Sequence, residues 1–335
     1  MKRRDLLLLG GAAAATIGAV ILLTPDSTEP PPNSASPLAF PGLAPRLANA
    51  ARIEVVRHDG TLVIRRAASG AWVLPDRADH PARPERVREV LVGLTELRLI
   101  EPRTANPEML ERLGVEDPTR PGATSALLRV LDANGAPIAE LIVGRRRMRV
   151  QGNVPESVHV RRPNEAQAWL AEGRLPLDAD PSLWIDRDIA NIPRDRVRAA
   201  EIRRAGEGLL VLRRGRELEG PLAVVEPAET PELDELSLDE VARGFEFLTF
   251  LEVRAATDMP GEWLGEAAFE LTDNLRIAIA ARKEGEDLWV RLAATGDEEA
   301  GRLNARWRGW AYQVGQWKEK AFLPRIEDLA KQARN

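Results

Sequence analysis

The chain has no cysteine, little histidine and almost no lysine. Its 335 residues include three His, five Lys, one Tyr and six Phe, against eight Trp. Without cysteine, disulfides, thiolate metal ligands, cysteine nucleophiles and lipoprotein-type acylation are all excluded. The sequence therefore leaves the redox state of its compartment open, because a disulfide-free protein suits an oxidising or a reducing environment.

Catalytic and cofactor motifs are missing as well. The sequence contains no nucleophile elbow, P-loop, dinucleotide fingerprint or Ser-His-Asp arrangement. A net charge of −5, with 30% charged residues of both signs interleaved, argues against a nucleic-acid partner. We therefore predict a protein that is not an enzyme, uses no cofactor and binds no nucleic acid.

The one long apolar stretch runs from Leu6 to Leu23 and follows Lys2, Arg3 and Arg4. As a helix, its 18 residues would span roughly 27 Å, which matches the hydrocarbon core of a bilayer. The basic flank predicts that the N-terminus stays in the cytoplasm and that the rest crosses the membrane. We interpret residues 1–23 as an uncleaved signal anchor with one transmembrane helix.

Two alternatives to a simple anchor remain open. A cleaved signal needs a small-x-small site, and the nearest is Ser34-Ala35-Ser36, where Pro37 opposes cleavage. Residues 3–7 also resemble the core of a twin-arginine export signal. Residues 24–45 follow with seven prolines and are predicted to form an extended stalk.

The remainder of the chain repeats itself. Residues 51–66 and 199–213 both read as two strands around a tight turn, and matching residues lie 147 positions apart. Each pair leads to an amphipathic helix, the first opened by Pro84 and the second by a capping box of Ser237 and Glu240. Gly93 and Gly244 correspond at an offset of 151.

Further strands are predicted after each helix, and a helix from about Arg325 to Ala333 is predicted to end the chain. The predicted fold class is α+β, with two tandem sheet-plus-helix repeats of mainly antiparallel strands after the transmembrane helix. The first α+β repeat covers residues 46–190, and the second covers residues 191–335.

Several short motifs in order resemble a bacterial family, the domain of unknown function 4340 family. The motifs are Gly70-Ala71-Trp72-Val73-Leu74-Pro75, Leu113-Gly114-Val115 with Pro118, Leu141-Ile142-Val143-Gly144, Trp184-Ile185-Asp186-Arg187-Asp188-Ile189, Tyr312-Gln313-Val314 and Ile326-Glu327-Asp328-Leu329. The second repeat departs from the pattern, because Leu222-Ala223-Val224-Val225 stands where a Trp-bearing strand is expected.

The resemblance implies a duplicated domain anchored in the bacterial inner membrane through residues 6–23, with its bulk in the periplasm. It also implies that the gene is often encoded beside those of ABC-type export permeases and their auxiliary proteins. It implies no reaction. Fold similarity alone would not settle function.

Metal sites are not predicted. His58, His80 and His159 lack the spacing of a zinc site and are interpreted as ordinary surface histidines in a turn, a loop and a strand. The acidic cluster Asp178, Asp180, Asp186 and Asp188 lacks the glycine and closing Glu of a calcium loop, and caps or turns explain it better.

Two groups of residues are candidates for ligand or partner contact. The basic group, predicted to lie on an exposed connection after Gly144, would dock an anionic headgroup, glycan or acidic partner. The aromatic group would form a stacking platform for sugar or peptide, unless its rings pack in the core. These candidates are Arg145, Arg146, Arg147 and Arg149, and Trp307, Trp310, Tyr312 and Trp317.

Three functions are compared. The first is an accessory or scaffold protein of an envelope or ABC-type export complex, and it predicts exposed surface patches without a deep polar pocket. The second is a periplasmic binding module for a glycan, lipid or peptide. The third is an envelope hydrolase, which requires two facing carboxylates in a concave pocket.

Overall fold

A computed structural model describes residues 36–147, 156–215 and 220–331. No helix in these ranges is long and apolar enough to cross a membrane. The predicted transmembrane helix at Leu6–Leu23 lies outside them, as does Arg149. Within these ranges the protein consists mainly of antiparallel sheets with few helices, so the prediction of a sheet-rich α+β fold is confirmed.

The first sheet contains nine strands. They are β1 (Arg52–Arg57), β2 (Gly60–Arg66), β3 (Trp72–Leu74), β4 (His80–Pro81), β5 (Arg98–Thr104), β6 (Ala126–Leu131), β7 (Pro137–Arg147), β8 (Ser157–Arg161) and β9 (Ala168–Glu172). Their order across the sheet is β4-β3-β2-β1-β6-β7-β8-β9-β5, and every neighbouring pair is antiparallel.

The second sheet contains eight strands, and a separate two-stranded ladder is formed by two further strands of the same part of the chain. The ladder pairs β10 (Asp188–Ala190) with β14 (Leu248–Thr249). The sheet consists of β11 (Val197–Arg204), β12 (Leu209–Arg214), β13 (Leu222–Glu226), β15 (Glu252–Ala255), β16 (Glu262–Leu271), β17 (Arg276–Glu284), β18 (Asp287–Thr295) and β19 (Trp310–Val314). Its order is β13-β12-β11-β16-β17-β18-β19-β15.

The two sheets have the same strand order. Counted from the ends at β5 and β15, eight positions correspond one to one, and only β4 has no counterpart. The sheets are separate, but one continuous cluster of buried apolar side chains includes residues from both, such as Ile53, Val130, Phe269 and Tyr312. The repeated sequence pattern therefore folds twice into the same topology, and the two copies share a core.

Helices and 3₁₀ turns connect the strands. The helices are α1 (Leu43–Arg46), α2 (Pro84–Glu96), α3 (Leu110–Leu113), α4 (Glu235–Ala242), α5 (Glu298–Trp307) and α6 (Lys318–Phe322). The 3₁₀ turns are Leu47–Asn49, Pro75–Arg77, Pro107–Met109, Pro181–Leu183, Arg194–Arg196, Arg243–Phe245, Ala256–Asp258 and Ile326–Leu329.

The helix α2 forms as the sequence indicates. Pro84 occupies its first turn, and Val87, Val90 and Leu94 are buried along one face. The helix α4 begins earlier than predicted. Its cap is Asp234, whose carboxylate accepts hydrogen bonds from the amide and the hydroxyl of Ser237, at 3.0 and 2.9 Å.

Two other predictions about the ends of the folded part need correction. The stalk was predicted to reach Pro45, but Ala39 and Leu43 are buried, and the Ala39 amide donates to Leu97 O at 2.7 Å. Their apolar side chains thus join the core. The C-terminal helix predicted from Arg325 is only the 3₁₀ turn Ile326–Leu329, after which Ala330 bridges to Leu233.

Candidate functional site

The largest described cavity lies where the two sheets meet. It has a volume of about 980 Å³ and is called here the inter-sheet cavity. The first sheet contributes Trp72 on β3 and His80 on β4, and the second contributes Trp310 and Tyr312 on β19. The connection between the sheets, residues 182–188, closes one side. Cavities of this size between domains are typical ligand sites.

Hydrogen bonds to Phe250, which precedes β15, place the connection against the second half of the molecule. Arg187 Nε donates to Phe250 O at 2.7 Å, and the Phe250 amide donates to Arg187 O at 3.1 Å. On the other side, Ala82 bridges to Ile185, and the Arg83 amide donates to Trp184 O at 2.6 Å. The same short segment is therefore hydrogen-bonded to both halves of the molecule.

Aromatic rings form the floor of the cavity. The His80 ring centroid lies 5.3 Å from that of Phe250 and 4.9 Å from that of Trp310, and Phe250 lies 5.2 Å from Tyr312. Trp310 Nε1 donates to Ala78 O at 3.3 Å across the sheets. Trp72 and Trp310 keep part of their surface exposed, whereas Phe250 and Tyr312 are buried.

His80 is 8% exposed, so it is not the surface histidine that its sequence context indicated. Burial lowers the pKa of His80, because the charged ring would lose its hydration. The Pro81 carbonyl and the Asp186 carboxylate act in the opposite direction on this pKa, and Arg306 acts with the burial. The ring is therefore held in its neutral form more strongly than a free histidine.

Charges of both signs surround the rings. The charged residues that line the cavity are Arg83, Arg187, Arg306, Glu85, Asp186 and Asp188. Asp186 Oδ2 accepts from Arg306 Nη2 at 2.7 Å, and its Oδ1 accepts from the Asp188 amide at 3.1 Å. Both Asp186 oxygens are thus engaged, and this carboxylate joins the connection to Arg306 of α5 at the rim of the cavity.

The predicted aromatic platform is not assembled as one surface. Trp307 is 1% exposed, and its Nε1 donates to Ile189 O at 3.0 Å, so it supports the connection from the core. Tyr312 is also buried; its hydroxyl donates to Arg306 O at 3.1 Å, and burial raises its pKa. Trp310 reaches the cavity, whereas Trp317 is exposed elsewhere.

The basic group was predicted to lie on an exposed connection after Gly144, and this prediction is wrong for its described residues. Arg145, Arg146 and Arg147 continue β7, and Arg146 and Arg147 pair with β8. Arg146 Nη2 donates to Leu175 O at 2.6 Å. Gly144 marks a close approach instead of a turn, because a Cβ there would lie 2.4 Å from Gly114 O. These arginines are remote from the cavity lining.

The aspartates of the connection act as caps. Asp178 accepts from the Asp180 amide and Asp180 from the Ser182 amide, both at 2.9 Å. Hydrogen bonding to Ser182 lowers the pKa of Asp180. Within the described ranges, no group of three or more His, Asp and Glu is arranged to hold a metal ion.

A family model for a domain of unknown function, DUF4340, matches residues 72–264. This is more than half of the chain. The chain belongs to the DUF4340 family. The matched region begins at β3 and ends within β16, so it includes both sides of the connection and His80. No curated protein and no solved structure matches this DUF4340 chain.

Sequence reasoning missed most of the residues that form the cavity of this DUF4340 protein. Trp72 stands in a family motif, so it carried a signal. His80 and Phe250 carried none, because a lone histidine and a lone phenylalanine have no spacing to interpret. Their proximity depends on how the two sheets dock, which no local pattern encodes.

Proposed function

We propose that this protein is a membrane-anchored binding protein of the bacterial envelope that holds a neutral glycan in the inter-sheet cavity. The observation that carries the proposal is the pair of partly exposed indoles, Trp72 and Trp310, in one cavity. Flat aromatic faces suit the apolar faces of sugar rings. The three arginines and three acidic residues around them supply hydrogen bonds without favouring one sign of ligand charge.

The anchor, the inner-membrane location and the periplasmic placement of the folded part belong to the same proposal. They are supported by the apolar run Leu6–Leu23 and its basic flank. No reaction is assigned, since the Asp186 carboxylate is occupied by Arg306 and by the Asp188 amide.

The test uses full-length protein in detergent micelles and a tetrasaccharide of N-acetylglucosamine as the probe. We expect saturable binding by calorimetry, and we expect Trp310→Ala and Trp72→Ala each to weaken it roughly tenfold, the loss of about 1.4 kcal/mol of stacking. Trp263→Ala is the matched control, because Trp263 is exposed on β16 outside the cavity. Equal affinity for all variants would refute the proposed site.

A second proposed function is the accessory role in an envelope or ABC-type export complex. The chain's membership of the DUF4340 family favours it, together with the proposed anchor. The two functions are compatible, because an export accessory can carry a ligand site.

A further inference from the structure

Three large apolar side chains are displayed to solvent on the second half of the molecule. Phe247, Leu251 and Trp317 are 78%, 53% and 72% exposed, and they are called here the apolar patch. Phe247, Thr249 and Leu251 face outward in alternation with the buried Leu248 and Phe250. Period-two alternation explains how one short segment fills the core and still presents an apolar outer side.

Trp317 belongs to a second segment that is joined to the first. The Leu251 amide donates to Gln313 O at 2.8 Å, and Lys318 Nζ donates to Gly244 O at 2.7 Å. Residues 244–251 and 313–318 therefore run side by side and bring the three apolar side chains to one region of the surface.

Two of these side chains have unusual local surroundings. The Trp317 indole lies over the chain at Gly315, where an added Cβ would lie 2.2 Å from the ring. Phe247 has φ 46°, a left-handed conformation that is rare for a bulky residue, and its amide donates to Asn191 Oδ1 at 3.1 Å. Both rings lie in solvent, and three large exposed apolar side chains near one another form the kind of patch that marks a contact surface.

We propose that the apolar patch inserts into the headgroup region of the bilayer that anchors this chain. The proposal rests on the membrane anchor of the proposed function. Trp and Phe are the side chains that partition best into the membrane interface, where an apolar ring meets polar headgroups. The patch would then fix how the folded part sits on the membrane.

The tether is long enough for this contact. The described chain begins at Ser36, whose carbonyl accepts from Arg98 Nη1 at 3.0 Å, next to the C-terminal end of α2. The helix α2 is about 20 Å long, and its first turn lies beside the inter-sheet cavity. Phe250 lines the same cavity and is the residue before Leu251 of the apolar patch. The 12 residues between Leu23 and Ser36 reach at most about 40 Å.

The absence of cysteine makes a clean experiment available. Thr249→Cys places a single thiol between Phe247 and Leu251 and leaves the apolar patch intact. The labelled full-length protein, carrying the environment-sensitive fluorophore NBD, is reconstituted in vesicles of phosphatidylcholine and phosphatidylglycerol. A second set of vesicles contains lipids with a quencher high in the acyl chain.

We expect the NBD emission to shift to the blue and to be quenched roughly twofold in the quencher vesicles, as for an interfacial side chain. Val225→Cys is the matched control, because Val225 is 57% exposed on β13, at the opposite edge of the second sheet from β15, which follows Leu251. We expect no quenching there. Adding Phe247→Ser and Trp317→Ser to Thr249→Cys should abolish the quenching.

Flotation of the same vesicles separates the two proposals. If the protein floats with the vesicles but the label at residue 249 is not quenched, the anchor stands and the insertion of the patch is refuted. If the blue shift of the label grows with protein concentration while the quencher lipids leave its emission unchanged, the patch binds a second copy of the chain. The insertion of the patch into the bilayer is then equally refuted. If the protein does not float, the anchor fails, and the inference fails with it.

Discussion

His80 links the two halves of the molecule through its ring. It belongs to β4 of the first sheet but lies between Phe250 and Trp310, which belong to the second half. Asp186 and Arg306 are the charged residues that act on it, and they are already paired with each other. A proton on His80 would therefore enter an aromatic site, and the one carboxylate that favours it, Asp186, is already paired with Arg306.

This residue predicts a pH dependence of stability. Burial lowers the pKa of His80, so the neutral ring contributes to the free energy of unfolding. This contribution is fully present above pH 6.5, the ordinary pKa, and is lost as the pH falls through the lowered pKa. We expect the melting temperature of the wild type to fall more between pH 8 and pH 5 than that of His80→Phe. The slope for one proton is at most about 1.4 kcal/mol per pH unit.

The measurement is differential scanning calorimetry of both proteins at each pH. Comparing each protein with itself at pH 8 removes the packing effect of the substitution. His159, whose pKa is also lowered by burial, contributes equally to both proteins. The prediction would be contradicted if the melting temperature of His80→Phe fell as much between pH 8 and pH 5 as that of the wild type.

At the scale of elements, two glycines at corresponding positions allow close packing. A Cβ on Gly93 in α2 would lie 2.3 Å from Arg174 O, and a Cβ on Gly244 would lie 2.9 Å from the Phe322 ring. The requirement for a small residue is therefore repeated in both halves, although a carbonyl is the neighbour in one and a phenyl ring in the other. Gly93 lies in α2, after the hairpin β1–β2, and Gly244 follows α4, after the hairpin β11–β12. In both places the glycine lets the chain pack closely against a neighbouring segment.

We expect Gly93→Ala to lower the free energy of unfolding by about 1–3 kcal/mol, because the new methyl group would overlap the backbone of residue 174. The matched control is Gly301→Ala in α5, where nothing lies within 4 Å of the added Cβ. There the higher helix propensity of alanine should raise stability by about 0.5–1 kcal/mol. Urea unfolding followed by tryptophan fluorescence measures the free energy of unfolding of both variants. Equal changes in this free energy for Gly93→Ala and Gly301→Ala would refute the packing argument.

The elements also indicate which features local sequence can predict. The helix α2 was predictable because Pro84 and a 3.6-residue apolar period act within the segment itself. The start of α4 was misassigned because Asp234 and Ser237 are both good caps, and only the fold shows that the carboxylate accepts from Ser237. The strand β4 was missed because two residues carry no period.

At the scale of the whole molecule, sequence reasoning selected Trp310 and Tyr312 as candidates but could not predict that they meet the first sheet in one cavity. The Trp310 to Ala78 hydrogen bond joins residues 232 positions apart, and no motif spans that separation. The sheet-rich α+β class was accessible from local patterns, and the pattern that occurs twice predicts two similar units, whose sheets have the same strand order. How the copies dock depends on the shapes of both.

The proposed accessory function also belongs at this scale. We expect tagged full-length protein, extracted from native membranes in mild detergent, to purify with ABC-type transporter subunits in stoichiometric amounts, as identified by mass spectrometry. Phe247→Ser serves as a comparison, since its side chain is exposed and lies outside the inter-sheet cavity. Membrane-bound protein that purifies alone would contradict the accessory function and leave the binding function to be tested separately.

The unmatched strand β4 takes part in the contact between the two sheets. The segment Pro75–Pro81 fits the side of the second sheet: Arg77 Nη1 pairs with Glu252 at 2.7 Å, and His80 stacks on Trp310. A unit that repeats both of its docking sides can extend into an open array. The second sheet ends at β13, and in the described ranges no strand continues past it. The described residues of the second half therefore do not repeat the docking side that Pro75–Pro81 gives the first half, and the contact between the two sheets is asymmetric.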